Sequence, residues 1–106
     1  MILASDCYAV AIRLPALERF GLASQMRRSA VSVPSNIAEG HGRRQTREFI
    51  RYINIANGSL RELETQVMLA RRLHRTDARL IATALSESAR VGQMLRSLHR
   101  SLESKL

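Results

Sequence analysis

The residues whose type and spacing point most directly to chemistry are the arginines between positions 41 and 75. Placed at ~100° per residue, Arg47, Arg51, Arg61 and Arg72 fall within ~80° of one another on a helical wheel, with Glu62 the only acid beside them. Arg43, Arg44 and Arg75 extend this row at its two ends. Residues 41–75 hold eight Arg against Glu48, Glu62 and Glu64, so +5 of the net +8 lies in one stretch. Sixteen of the seventeen basic residues are Arg and only Lys105 is Lys. A guanidinium fork matches phosphate oxygens and is more weakly hydrated than an ammonium, so the chemistry indicated is contact with a phosphate backbone. Arg43, Arg44, Arg47, Arg51, Arg61, Arg72 and Arg75 are therefore the candidate nucleic-acid contacts. No aromatic residue falls within the row, so recognition is expected to follow backbone and shape more than base sequence. The competing reading is a solvated helix face with pairs such as Arg61 with Glu64 and Glu48 with Arg51.

Catalytic patterns are absent. His41, His74 and His99 are not spaced from one another, or from a cysteine or carboxylate pair, as a zinc site requires. Glu62 and Glu64 are two apart and point to different helix faces, which disqualifies them as a local acid–base pair. No serine lies in a G-x-S-x-G turn, and Gly40-x-Gly42 follows a helical pattern instead of a strand. Neither an enzyme, a metal site nor a cofactor is expected. A second polar cluster, Arg28, Ser32, Ser35 and Glu39 with Asn36 at its edge, occupies one side of the helical segment that contains Pro34. It reads as an internal network in which Arg28 and Glu39, with Ser59 or Glu64 from the next helix, satisfy one another.

Four helical segments must position these groups. Leu3, Cys7, Val10 and Leu14 form a short first stripe, ended by Leu14-Pro15. Leu22, Met26, Ser29/Ala30, Val33, Ile37 and Gly40 form the second, in which Pro34 is expected to kink the helix or break it in two. Gly40-His41-Gly42 predicts a stop with residues that tolerate positive φ, and Thr46 an N-cap. The third stripe, Phe49, Ile53, Ala56, Leu60, Leu63, Val67 and Ala70, is the most regular and predicts a helix of roughly 40 Å to about Leu73. Thr76 or Asp77 then caps a fourth helix along Ile81, Ala84/Leu85, Ser88, Val91, Leu95, Leu98 and Leu102. An all-α, antiparallel up-down four-helix bundle with a proline-kinked second helix buries these stripes most simply, as a single domain over residues 1–106. The apolar residues Phe49 to Ala56 sweep an arc of about 220°, wider than one stripe needs. Phe49, Ile50, Tyr52 and Ile55 are therefore expected to face a second copy in a homo-oligomer.

The class fits the composition. The 106 residues, 45% hydrophobic and 25% charged, suit one soluble globular domain. A pI near 11.4 points to a polyanionic partner. The longest apolar run, Cys7 to Ile12, is far short of a membrane span, and Asp6 interrupts the region where a signal peptide would be apolar, so no membrane partner and a cytoplasmic location are expected. Cys7, the single cysteine, reads as a small core residue.

The segments Ser24-Gln25-Met26-Arg27-Arg28, Ser32-Val33-Pro34-Ser35-Asn36-Ile37-Ala38-Glu39-Gly40, Glu48-Phe49 and Ala56-Asn57-Gly58-Ser59-Leu60-Arg61-Glu62-Leu63-Glu64 closely resemble the four-helix-bundle family of ribosomal RNA intervening-sequence proteins. That family includes the accessory variability proteins of diversity-generating retroelements. The resemblance implies a barrel-shaped homopentamer whose basic surface binds nucleic acid, RNA or DNA, and a protein partner such as a reverse transcriptase or ribosomal component. It implies no enzyme. Arg28, Pro34, Asn36, Glu39, Ser59 and Glu64 match the family motif, which implies an architectural role for them. The sequence departs from the family pattern at its first helix, which is shorter and lacks the usual aromatic and basic residues.

Overall fold

The computed structural model describes residues 2–18, 20–74 and 77–106. It contains α1 (Ile2–Ile12), a 3₁₀ turn (Ala16–Glu18), α2 (Leu22–His41), α3 (Thr46–Leu73) and α4 (Ala78–Glu103), with no strand among the described residues. These make a four-helix bundle in which α2 packs on α1 and α3, and α4 on α3 and α1. Near the end of α2, Gly40 lies against Phe49 and Tyr52 at the start of α3, whereas Ser32 bonds to Ser59 further along it. The two helices therefore run antiparallel. Leu60 meets Gly92 while Ile53 shares a cleft with His99, so α3 and α4 are antiparallel as well.

The buried residues recur at helical spacing on all four helices. Leu3, Cys7, Val10 and Ala11 of α1 meet Ala23, Met26, Ala30 and Val33 of α2, Ile53 to Ala70 of α3 and Ile81 to Leu102 of α4 in one core. Cys7 is 1% exposed. Burial, then the neighbouring Asp6 charge, pushes its thiol up to about 12, so it stays neutral and acts as a small hydrophobe.

The connections show how local chemistry sets the ends. After α1, Leu14 donates to the Ala11 carbonyl and Pro15 prevents continuation. In the following turn Glu18 accepts from the Leu22 backbone N–H through Oε1 at 3.4 Å and meets His74 Nε2 through Oε2 at 2.6 Å. The bond to His74, more than the backbone bond from Leu22, holds the Glu18 carboxyl below its ordinary range. This single side chain anchors the start of α2 to the end of α3. The α2 stop differs from the expected one, because Gly42 sits at φ −82° in the right-handed region and no described residue has positive φ. Thr46 is already helical, and extended Gln45 is the cap, without a side-chain bond. The other cap is as expected: Asp77 accepts from the Arg79 backbone N–H at 2.8 Å, while Thr76 lies outside the described residues.

Helix α2 runs through Pro34 without a break. The proline removes one donor, and two residues on the Asn36 side chain donates to the Ser32 carbonyl at 2.8 Å. This bond ties the turn around the proline from outside the backbone ladder.

Candidate nucleic-acid interface

Arg47, Arg51, Arg61 and Arg72 are all exposed, on the side of α3 opposite Ile53, Ala56, Leu60 and Leu63, which are buried. The helix is long enough to carry them along about 38 Å from Arg47 to Arg72 at ~1.5 Å per residue. Arg43 and Arg44 stand exposed in the connection that leads into α3, and Arg75 lies outside the described residues. The row is not uniform. Arg43 pairs with Glu39 at 2.6 Å, and Arg51 and Arg61 approach Glu48 and Glu64 at 3.8 Å and 3.6 Å. Arg44, Arg47 and Arg72 have no ion pair among the described residues. Contacts between exposed charges contribute little to stability, so these guanidiniums are available to an external anion.

The expectation that no aromatic belongs to the row needs correction. Arg43 and Arg51 place their guanidinium carbons 5.0 Å and 4.9 Å from the Tyr52 ring centroid, and Arg43 donates to the Tyr52 hydroxyl at 2.9 Å. Nearby, His41 and Phe49 meet edge to face with centroids 5.8 Å apart. On a bare wheel Tyr52 points about 100° away from Arg51. The long arginine side chains close that angle, and this end of the bundle becomes both cationic and aromatic.

The expected polar network is only partly assembled. Ser32 and Ser59 share a hydroxyl hydrogen bond at 2.7 Å, and Asn36 donates to the Ser32 hydroxyl at 3.0 Å, so Asn36 and Ser59 belong to one cluster between α2 and α3. Arg28 and Glu39 do not meet. They share a face but stand eleven residues apart, about 16 Å along the axis, and Glu39 turns to Arg43 instead. Glu64 pairs with Arg61 on its own helix, and Arg28 lines a cleft with Gln25, Ser29, Glu62 and Gln66. Because the Glu39–Arg43 pair is exposed, Glu39→Ala is expected to change stability by less than ~0.5 kcal/mol. Ser59→Ala is expected to cost ~1 kcal/mol, since it removes the hydroxyl bond between α2 and α3 and leaves Ser32 only its bond from Asn36. Thermal melts of the two variants check both values.

The four residues expected at an oligomer interface separate as well. Phe49 and Ile50 pack partly buried against the chain's own core, and Tyr52 is engaged by Arg43 and Arg51. Ile55, 40% exposed, is the one left facing outwards. More exposed apolar side chains stand elsewhere: Leu17 and Leu73, 78% and 61% exposed, flank the Glu18–His74 contact. The described residues hold no group of three His, Cys, Asp or Glu side chains placed to bind a metal ion, and no helix among them is long and apolar enough to cross a membrane. The cations on α4 were outside the row read from sequence. Arg90 is held by Glu87 at 2.8 Å, but Arg96 and Arg100 line a cleft with His99 between them.

A four-helix bundle with an arginine-lined outer face defines a class of small basic helical proteins. The sequence profile of the 23S rRNA-intervening sequence protein family matches residues 1–97. The chain belongs to that family, and the match includes the short first helix. No curated protein matches the chain.

Proposed function

We propose that this protein is a non-enzymatic accessory protein that binds nucleic acid through its phosphate backbone with little sequence preference. The observation that carries this reading is the exposed arginine face of α3, with Arg44, Arg47 and Arg72 free of ion pairs among the described residues. Membership of a family described by ribosomal RNA intervening sequences supports a nucleic-acid context. Fluorescence anisotropy on unrelated duplex and single-stranded probes tests it. Affinities within about threefold across sequences are expected of backbone contacts. Failure to bind any probe at low salt, or strong selection of one duplex sequence, contradicts it.

The same reading takes the protein as a homo-oligomer, a pentamer by its family resemblance, since rotational symmetry multiplies the arginine face and strengthens binding by avidity. Exposed Ile55, Leu17 and Leu73 supply apolar surface for such contacts. Light scattering coupled to size exclusion is expected to give a multiple of the 11.9 kDa chain mass. A monomer mass at tens of micromolar contradicts the oligomer. Leu17 and Leu73 at one end also favour a second reading, a scaffold that docks a protein partner there. That reading predicts capture of the partner to be lost on Leu17→Asp with Leu73→Asp, with nucleic-acid binding unchanged.

A further inference from the structure

Helix α4 carries cations that the α3 row does not include. Arg96 and Arg100 are one turn apart, so they stand on the same face with Cβ atoms ~5–6 Å from each other, and neither has an ion pair among the described residues. His99, which reaches Glu103 at 3.2 Å, lines with them a cleft of about 270 Å³. A second, narrower cleft continues from Arg96 and His99 to Asn54 and Asn57 on α3. No acid among the described residues lines either cleft.

The backbone builds this groove. Gly92 is buried, and Arg96 Nη1 would lie 3.4 Å from a Cβ added there. The missing side chain leaves room for the guanidinium to fold back beside α3. Asn54 is seven residues from both Arg47 and Arg61, two helical turns each way, so it stands in line with the arginine row. The groove and the α3 face are therefore one continuous surface. Asn57 buries its amide oxygen without a hydrogen-bond partner among the described residues, so turning that amide towards a hydroxyl or amino donor sacrifices no bond seen there.

We propose that the groove between α3 and α4 seats a single phosphodiester strand, with phosphates on Arg96 and Arg100 and the strand's sugar or base edges over Asn54 and Asn57. This rests on the nucleic-acid reading above and adds a single-strand site to it. Packed helices are ~8–10 Å apart axis to axis, which admits one strand and excludes a duplex from the groove floor. Arg96 and Arg100 then form a cationic rail on one wall, and Arg47 and Arg61 a second rail on the other.

Anisotropy with an RNA 12-mer, the DNA 12-mer of the same sequence and the corresponding duplex tests the proposal, using the full chain and Arg96→Ala with Arg100→Ala. The variant is expected to bind single strands at least tenfold more weakly, with a log–log salt slope reduced by about 1.4 for two lost contacts. Its duplex affinity should change by less than about threefold, because the outer face of α3 is intact. Whichever single strand binds more tightly identifies the natural backbone as RNA or DNA. Arg96→Lys with Arg100→Lys keeps the charges and should retain most of the affinity, while matched melting curves show that all variants fold. Wild-type affinity and slope of the alanine variant for both single strands overturn the groove site, leaving the α3 reading intact if loss of Arg44, Arg47 and Arg72 still weakens duplex binding. If the wild type binds none of the probes, both readings fall.

Discussion

Gly40→Ala is expected to destabilise the protein, and Gly58→Ala to stabilise it, although both replace a helical glycine, one in the last turn of α2 and one in the middle of α3. Alanine is the better helix former by about 1 kcal/mol, and at Gly58 nothing lies within 4 Å of the added methyl. The propensity gain should appear there nearly undiminished, as a rise of about 0.5–1 kcal/mol. At Gly40 the added Cβ would stand 2.7 Å from the Tyr52 Cβ, 3.0 Å from Phe49 Cδ1 and 3.3 Å from the Phe49 carbonyl oxygen. A Cβ and a backbone carbonyl cannot swing aside as a side-chain tip does, so α2 and α3 must separate at this close approach. Overpacking of this kind costs about 1–3 kcal/mol, which exceeds the propensity gain. The melting temperature of Gly40→Ala should therefore fall by several degrees, at roughly 4–8 °C per kcal/mol for a domain of this size. A rise in both variants would mean that the helices are not in contact at Gly40.

Replacing Arg44, Arg47 and Arg72 together by alanine is expected to weaken duplex binding on the order of 10²–10³-fold at 0.1 M salt, from three lost phosphate contacts. These three are chosen because no acid pairs with them among the described residues. Arg43, Arg51 and Arg61 are already held near Glu39, Glu48 and Glu64, so their removal also frees a carboxylate and mixes two electrostatic effects. All three substitutions fall on exposed positions, and stability should stay within ~0.5 kcal/mol for each. The variant thus separates binding from folding. An affinity equal to the wild type's would make the row a solvated face, and the scaffold reading would then be the better one.

Periodicity carried most of the fold. The α3 stripe is buried from Ile53 to Ala70, and α4 buries Ile81, Ala84, Ser88, Val91, Leu95 and Leu102, because a spacing of three and four leaves a helix one face to bury. A shared angle on the wheel does not bring side chains together where distance along the axis or side-chain reach decides the contact. Arg28 and Glu39 share a face, yet the rise of eleven residues keeps them apart, and the nearer Arg43 takes the carboxylate. Tyr52 lies off the arginine row on a wheel, yet Arg43 reaches it across the connection and Arg51 from the adjacent position. Gly40 belongs to the end of α2, where its carbonyl accepts from the Arg43 backbone N–H, and it also permits the close approach of α2 to α3, which its spacing alone does not reveal. Arg96 and Arg100 were invisible as a site because their groove is completed by Asn54 and Asn57 from another helix, a juxtaposition that only the packing of α3 on α4 creates.

The salt dependence of duplex binding tests most directly whether the α3 face holds phosphates, because it counts the ions released and is insensitive to small losses of active protein. Between 50 mM and 200 mM salt, log affinity should fall linearly with log salt concentration for the wild type. The slope for the protein lacking Arg44, Arg47 and Arg72 should be shallower by about 2.7, at roughly 0.9 for each lost contact with B-DNA. Equal slopes for the two proteins would contradict phosphate contact by these arginines, whatever their affinities.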